Sequence, residues 1–245
     1  MHRFFVDDHG ITHGTACLET TDAHHAMRVL RLAKGDEVVL MDGQLLYRAA
    51  IAALDAGGVR CDIIEALPSP EADLRITLYQ GLPKADKMEW IVQKGTEIGL
   101  VQIVPISLTR CVSQISDKDA SKKQERWQRI AREAAKQSGR AVIPNVSVPL
   151  TFQKALERLK QHELVLIPWE ESEGFGPKMA YTKFPHVRDV AIVIGPEGGI
   201  SPEEVDAIIA TAGAVPITLG KRVLRTETAG LTAAAALLAL WGDME

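Results

Sequence analysis

Two glycine-bearing segments carry the residue types best suited to chemistry. The first, Gly195-Pro196-Glu197-Gly198-Gly199, follows the apolar run Val190–Ile194 and precedes Ile200-Ser201-Pro202-Glu203-Glu204. Three glycines let a backbone approach a ligand closely and adopt positive φ angles. Ser201 is suited to cap a helix, Pro202 to its first position, and Glu204 completes a capping box. The second segment runs from Leu219 to Ala229 as Leu-Gly-Lys-Arg-Val-Leu-Arg-Thr-Glu-Thr-Ala. Lys221, Arg222 and Arg225 cluster where an apolar run ends, more cations than a turn needs, and an anionic substrate would explain them. Thr226 is placed to cap the next helix, with Glu227 on its dipole. A tight strand-to-helix turn would account for either loop by itself.

The spacing excludes two familiar chemistries. No G-x-G-x-x-G is present, and Val215-Pro216-Ile217 stand where a dinucleotide fold needs an acidic residue. No Gly-Lys-Ser/Thr follows, so the first loop is not a phosphate-binding P-loop. Glu197 would repel a phosphate but suits a cation, so the sulfonium of a methyl donor fits better than a polyphosphate.

Both loops need strands to deliver them and helices to follow. Apolar runs at Leu74–Tyr79, Val101–Ile106, Leu164–Ile167, Val190–Ile194 and Val215–Leu219 read as strands. Asp86–Ile98, Ser121–Ser138, Phe152–Lys160, Pro202–Ala212 and Glu227–Leu240 read as helices. That alternation predicts a mainly parallel α/β sheet with helices on both faces. The segment Ala229–Trp241 is apolar all round, so it should be buried on every side, in the core or at a subunit interface. The first 70 residues have another texture. Val38–Met41, Asp42-Gly43 and Leu45–Ile51 read as a hairpin, and Gly57-Gly58 as a turn into a further strand. Asp22–Leu32 reads as a short helix, and several short strands in so few residues predict a small barrel. Pro68-Ser69-Pro70 ends it as a linker.

The chain has 245 residues, 28 basic and 32 acidic, for a net charge of −4. That balance gives no global attraction to nucleic acid, so any such contact needs a local patch. Along the helix Ser121–Ser138 and just beyond, Lys122, Arg126, Arg129, Arg132, Lys136 and Arg140 fall within one arc of about 120°. Trp127, Ile130, Ala131, Ala134 and Ser138 lie opposite, so one face packs and the other is a cationic stripe suited to phosphates. Arg28 and Arg31, beside His24-His25, form a second basic group. Cys17, Cys61 and Cys111 fit no zinc spacing and are odd in number, which points to reduced thiols in the cytosol. His9 and His13 lack partner ligands, so no metal site is expected. The N-terminus lacks the apolar run of a signal peptide, and Leu231–Trp241 is too short to span a bilayer. A cytoplasmic protein without membrane contact is expected.

At these residues the sequence resembles a known family. Ile194–Gly199 and Leu219–Ala229 look like the C-terminal motifs of SPOUT methyltransferases, and more narrowly of the RsmE family of 16S ribosomal RNA uridine-N3 methyltransferases. Lys87–Glu97, Arg129–Arg140, Arg3–Val6 and His25–Gly43 match that family as well, so the resemblance covers nearly the whole chain. The chain departs from the family loop at Lys221, where proline is common, and at Val223, where isoleucine is.

The resemblance implies a SPOUT-type α/β domain over residues 71–245 with a C-terminal trefoil knot, an exception to unthreaded chains. It implies a PUA-like, RNA-binding β-barrel over residues 1–70. The cofactor would be S-adenosylmethionine, held by Pro168, Ile194, Gly195, Gly199, Leu219, Gly220, Leu224, Thr228 and Ala229; no donor contact is carried onto Trp169. The partners would be a second copy of the chain and 16S rRNA in a small-subunit particle, methylated during ribosome maturation. Arg3, His25, Arg28, Arg31, Arg129, Arg132 and Arg140 would contact RNA. Uridine N3 carries a proton that must leave, so the site needs a base or a group that stabilises the anion. Arg225 suits the uracil oxygen or a phosphate, and Glu197 and Glu227 are candidate bases. Two other readings stand beside this one: a SPOUT ribose 2′-O-methyltransferase acting on tRNA or rRNA, and a non-catalytic RNA-binding module. The intact Glu197, Arg225 and Glu227 speak against the second.

Overall fold

Period-two alternation in the N-terminal segment builds a closed barrel. Its strands are β1 (His2–Thr12), β2 (Thr15–Leu18), β3 (Glu37–Met41), β4 (Leu46–Asp55) and β5 (Gly58–Leu67), ordered β1-β2-β5-β4-β3. Parallel pairing of β3 with β1 closes the ring. Phe4, Val6, Leu18, Val38, Leu40, Ala49, Ile51 and Cys61 share one core, while Phe5, Val39, Met41 and Leu46 pack with Ala135 and Ala141. The β3–β4 turn spans four residues rather than two, because the Asp42 carboxylate accepts both Gln44 N and Leu45 N, at 2.9 and 2.7 Å. The helix expected over Asp22–Leu32 is shorter and divided. α1 covers Thr20–His24, and one π-helical turn follows over His25–Val29.

This computed structural model describes residues 1–55, 57–113, 115–242 and 244. It falls into two compact units, Met1–Glu71 with Ala135–Ile143, and Ala72–Ala134 with Pro144–Glu245. The second unit is the α/β part. Its strands are β6 (Arg75–Gly81), β7 (Gln102–Ser107), β8 (Asn145–Val146), β9 (Leu150–Thr151), β10 (Leu164–Pro168), β11 (Asp189–Ile194) and β12 (Val215–Ile217). They run in the order β12-β10-β11-β6-β7-β8, with β9 also beside β7, and every pairing is parallel.

The helices are α2 (Lys87–Ile98), α3 (Asp117–Ser138), α4 (Phe152–Leu159), α5 (Pro177–Lys183), α6 (Pro202–Ala212) and α7 (Thr226–Leu240). Tyr79, Val104, Ile106, Val165, Ile167, Ala191 and Val193 cluster with Leu156 of α4 and Val205 and Ile208 of α6. The alternate strand residues face the other way: Leu78 and Ile194 meet Gly230 of α7, and Ile103 meets Gly95 of α2. Helices therefore cover both faces of the sheet. On α3, Trp127, Ala131, Ala134 and Ala135 are buried. In the single chain α7 leaves Thr228, Thr232 and Ala239 exposed, while Leu231, Ala233, Ala234, Leu237 and Leu238 are buried. Among the described residues, no helix is long and apolar enough to cross a membrane.

Candidate active site

Parallel register brings the carboxyl ends of β10, β11 and β12 to one edge, where open α/β sheets bind ligands. The loops leaving these ends enclose a cavity of about 530 Å³, a small-molecule size. Of the residues assigned to the donor, Pro168, Ile194, Gly195, Gly199, Leu219, Gly220, Leu224 and Ala229 line it. Thr228 does not; it lies on the exposed side of α7. Trp169, Glu170, Thr218 and Thr226 also line the cavity and were not singled out from sequence as donor contacts.

The first loop is closed on itself. A Cβ at Gly195 would stand 2.5 Å from the carbonyl carbon of Gly199, and Gly199 itself sits at φ +72. Gly199 also leaves room for the Glu170 carboxylate, whose Oε1 would be 2.8 Å from a Cβ there. The loop hands over to α6 through the expected capping box, with Glu204 N donating to Ser201 Oγ and Ser201 N to Glu204 Oε2. The other Glu204 oxygen accepts Thr109 N at 2.7 Å, which ties the β7–α3 connection to the same turn.

The second loop differs from its sequence expectation at Thr226. Arg225 occupies the N-cap of α7, and Thr226 is its first residue. The Thr226 hydroxyl donates to Gly195 O and accepts Gln80 Nε2 at 2.8 Å, so it joins the two loops instead of capping. Gln80 is fully buried, and its Oε1 has no partner among the described residues.

A lysine absent from the sequence reading of the site completes it. Lys87 Nζ lies 3.0 Å from Glu197 Oε1 and 3.1 Å from Glu227 Oε2. Glu197 also accepts Lys84 N at 3.1 Å. These two carboxylates raise the Lys87 ammonium above the ordinary lysine range, Glu197 contributing most. Burial pushes the Glu197 carboxyl up, but Lys87, its own amide and Lys84 N together outweigh it and hold the carboxyl low. Glu197 and Arg225 line the cavity; Glu227 stands outside the lining, engaged by Lys87. Lys87 opens the family-matching segment Lys87–Glu97, but no spacing rule links it to carboxylates so far along the chain.

The residues assigned to RNA are divided between the two units. Arg3, His25, Arg28 and Arg31 are exposed in the barrel unit, and Arg31 holds a left-handed φ of 52. The Arg3 guanidinium lies against Gly139. Arg140 is buried, and its Nη2 is 2.6 Å from Glu71 Oε2. In the α/β unit Arg129 is exposed and Arg132 half-buried. The stripe on α3 is thus partly used internally: Arg126 pairs with Glu89, and Lys136 with the buried Asp22. Among the described residues, no cluster of His, Cys, Asp and Glu is placed to hold a metal ion.

Comparison with known proteins agrees with this geometry. Residues 70–238 match the RNA methyltransferase domain family, and residues 18–64 the RNA methyltransferase PUA domain. The ribosomal RNA small subunit methyltransferase E of Bacillus subtilis is 37% identical, over 88% of this chain and 86% of its own. That of Mycobacterium tuberculosis is 33% identical, over 96% of this chain and 90% of its own. The crystal structure of a ribosomal RNA small subunit methyltransferase E from Neisseria gonorrhoeae, bound to S-adenosylmethionine, superimposes with a TM-score of 0.86 at 30% identity, covering both chains completely. With barrel, parallel sheet and loop cavity all in place, the chain belongs to the ribosomal RNA small subunit methyltransferase E family of SPOUT RNA methyltransferases.

Proposed function

We propose that this protein methylates N3 of a uridine in small-subunit (16S) ribosomal RNA, using S-adenosylmethionine. The observation that carries the reading is the cavity at the ends of β10, β11 and β12, where two interlocked loops meet in a chain of this family. The residues present fit the donor. Glu170 and Glu197 offer carboxylates to its cationic centres, Ile194, Leu219, Leu224 and Ala229 offer apolar surface, and Gly195, Gly199 and Gly220 expose backbone. When bound, S-adenosylmethionine supplies an electrophilic methyl group.

The chain's own residues then have to position a uracil and stabilise its anion. The Arg225 side chain is exposed at the cavity wall, with no partner among the described residues, and is free to bind the uracil oxygen that gains charge. Glu197 and Glu227 share the Lys87 ammonium, which braces the site and helps hold the Glu197 carboxyl low. RNA would be drawn to the exposed Arg3, His25, Arg28 and Arg31 of the PUA-like barrel and to Arg129 of α3. The same reading includes the knotted C-terminal threading, a cytoplasmic location and a homodimer. The exposed Thr228, Thr232 and Ala239 stripe of α7 supports the dimer as a close-packing surface. Base methylation of small-subunit rRNA from cells with and without the protein tests the reading. One uridine should lose an N3-methyl group in its absence, and no such loss would refute it.

A further inference from the structure

The cavity-lining loop has an outer side that the reaction described above does not use. Gly195, Pro196, Glu197, Gly199 and Ile200 line the cavity, and Gly198 does not. Arg110, from the β7–α3 connection, occupies the space beside Gly198. A Cβ at Gly198 would stand 3.1 Å from Arg110 Cβ, and Arg110 Nη1 donates to Gly198 O at 3.0 Å. Arg110 is held there by its neighbour Thr109, whose N and Oγ1 both bond the buried Glu204 carboxylate. A second tie runs from Ser113 Oγ to Pro83 O.

A guanidinium carries five N–H donors, and only Nη1 has a partner among the described residues. Arg110 is exposed and forms no ion pair there. Glu203 is held below the ordinary carboxylate range by its own amide and the Ser201 hydroxyl, and last by Arg110, without pairing to it. On the cavity side, Lys221, Arg222 and Arg225 are also exposed. Cations therefore stand both beside Gly198 and on the cavity side of the loop, in a chain of net charge −4. A fork of free N–H donors on a fixed backbone suits the paired oxygens of a phosphate.

We infer that Arg110 is a phosphate-binding residue. It grips the RNA backbone beside the nucleotide that enters the cavity, while Gly198 is side-chain-free so that the arginine can lie across the loop. This rests on the RNA-methyltransferase reading and adds a substrate contact to it. Arg110 positions RNA and does not touch the reacting atoms.

The test compares the full-length protein with Arg110→Ala and Arg110→Lys. S-adenosylmethionine binding is measured by calorimetry, and binding of a small-subunit rRNA transcript is measured across a salt series. The alanine variant should bind the transcript about tenfold more weakly, with a salt slope lower by about 1. Its donor affinity should stay within about twofold of wild type, and lysine should restore most of the RNA affinity. Unchanged RNA affinity and slope overturn the inference. Equal losses of donor and RNA affinity also overturn it, since they mark Arg110 as a prop for the loop. A wild-type protein that binds no S-adenosylmethionine overturns the methyltransferase reading itself, and this inference with it.

Discussion

Lys87 Nζ stands 3.0 Å from Glu197 Oε1, and the same ammonium reaches Glu227 Oε2 at 3.1 Å. One cation thus holds the glycine loop after β11 to the first turn of α7. The two shifts bound its pH range. Glu197 is lowered, so its contribution is present above the ordinary carboxylate range and is lost as pH falls through its folded value. Lys87 is raised, so its contribution is present below the ordinary lysine range and is lost as pH rises through its folded value. The bridge should therefore hold from about pH 5.5 to pH 9.5, and across that window Lys87→Met should change donor affinity, measured by calorimetry, by the same factor. The variant should lower that affinity about tenfold, by leaving two like charges facing each other. Wild-type affinity in that variant would show that the bridge does not shape the donor site.

Arg225 should separate activity from folding. It lines the cavity, is exposed and caps α7 through its backbone alone. Arg225→Ala therefore removes a charged donor without opening a core. The turnover number should fall on the order of 100-fold, with the thermal midpoint within about 2 °C of wild type. Near-normal methylation of rRNA by the alanine variant would remove Arg225 from the chemistry.

Two glycines in the site should respond differently to alanine. At Gly195 the added Cβ would meet the Gly199 backbone at 2.5 Å, so the loop has to open. At Gly220 no atom lies within 4 Å, and the cost comes from its φ of +103 alone. Gly195→Ala should abolish measurable donor binding. Gly220→Ala should cost about 1 to 2 kcal/mol of stability and retain binding with reduced affinity. Equal donor affinities for the two variants would mean that closure of the first loop is not what shapes the cavity.

Local signals placed most of this site, and long-range ones did not. Ser201, Pro202 and Glu204 announce their capping box because all its partners lie within one turn. The donor residues at the strand ends were implied by the family resemblance, and parallel strands explain why their loops meet at one edge. Thr226 looked like a helix cap because the sequence shows its position but not Gln80, which reaches its hydroxyl from another strand. Lys87 and Arg110 escaped for the same reason: each belongs to the site through a partner distant in sequence. The short β8, β9 and α5 carry too few residues for a periodic signal. The stripe on α3 was legible as a helical arc, but an arc does not reveal which cations find carboxylates.

That last distinction makes Arg129 and Arg140 a contrasting pair. Arg129 is exposed on α3, with no partner among the described residues. Arg140 is 5% exposed and bonds the Glu71 carboxylate through Nε and Nη2, at 3.1 and 2.6 Å. Glu71 Oε1 in turn accepts Ala141 N and Val142 N, so this pair fixes the chain as it leaves α3. Arg140→Ala would strand a mostly buried carboxylate and should cost about 3 kcal/mol in chemical denaturation. Arg129→Glu should leave stability within about 0.5 kcal/mol and weaken rRNA binding, with the loss growing as salt is lowered. Should Arg140→Ala prove as stable as wild type while losing RNA affinity, the buried pair would be incidental and the arginine would belong to the RNA surface.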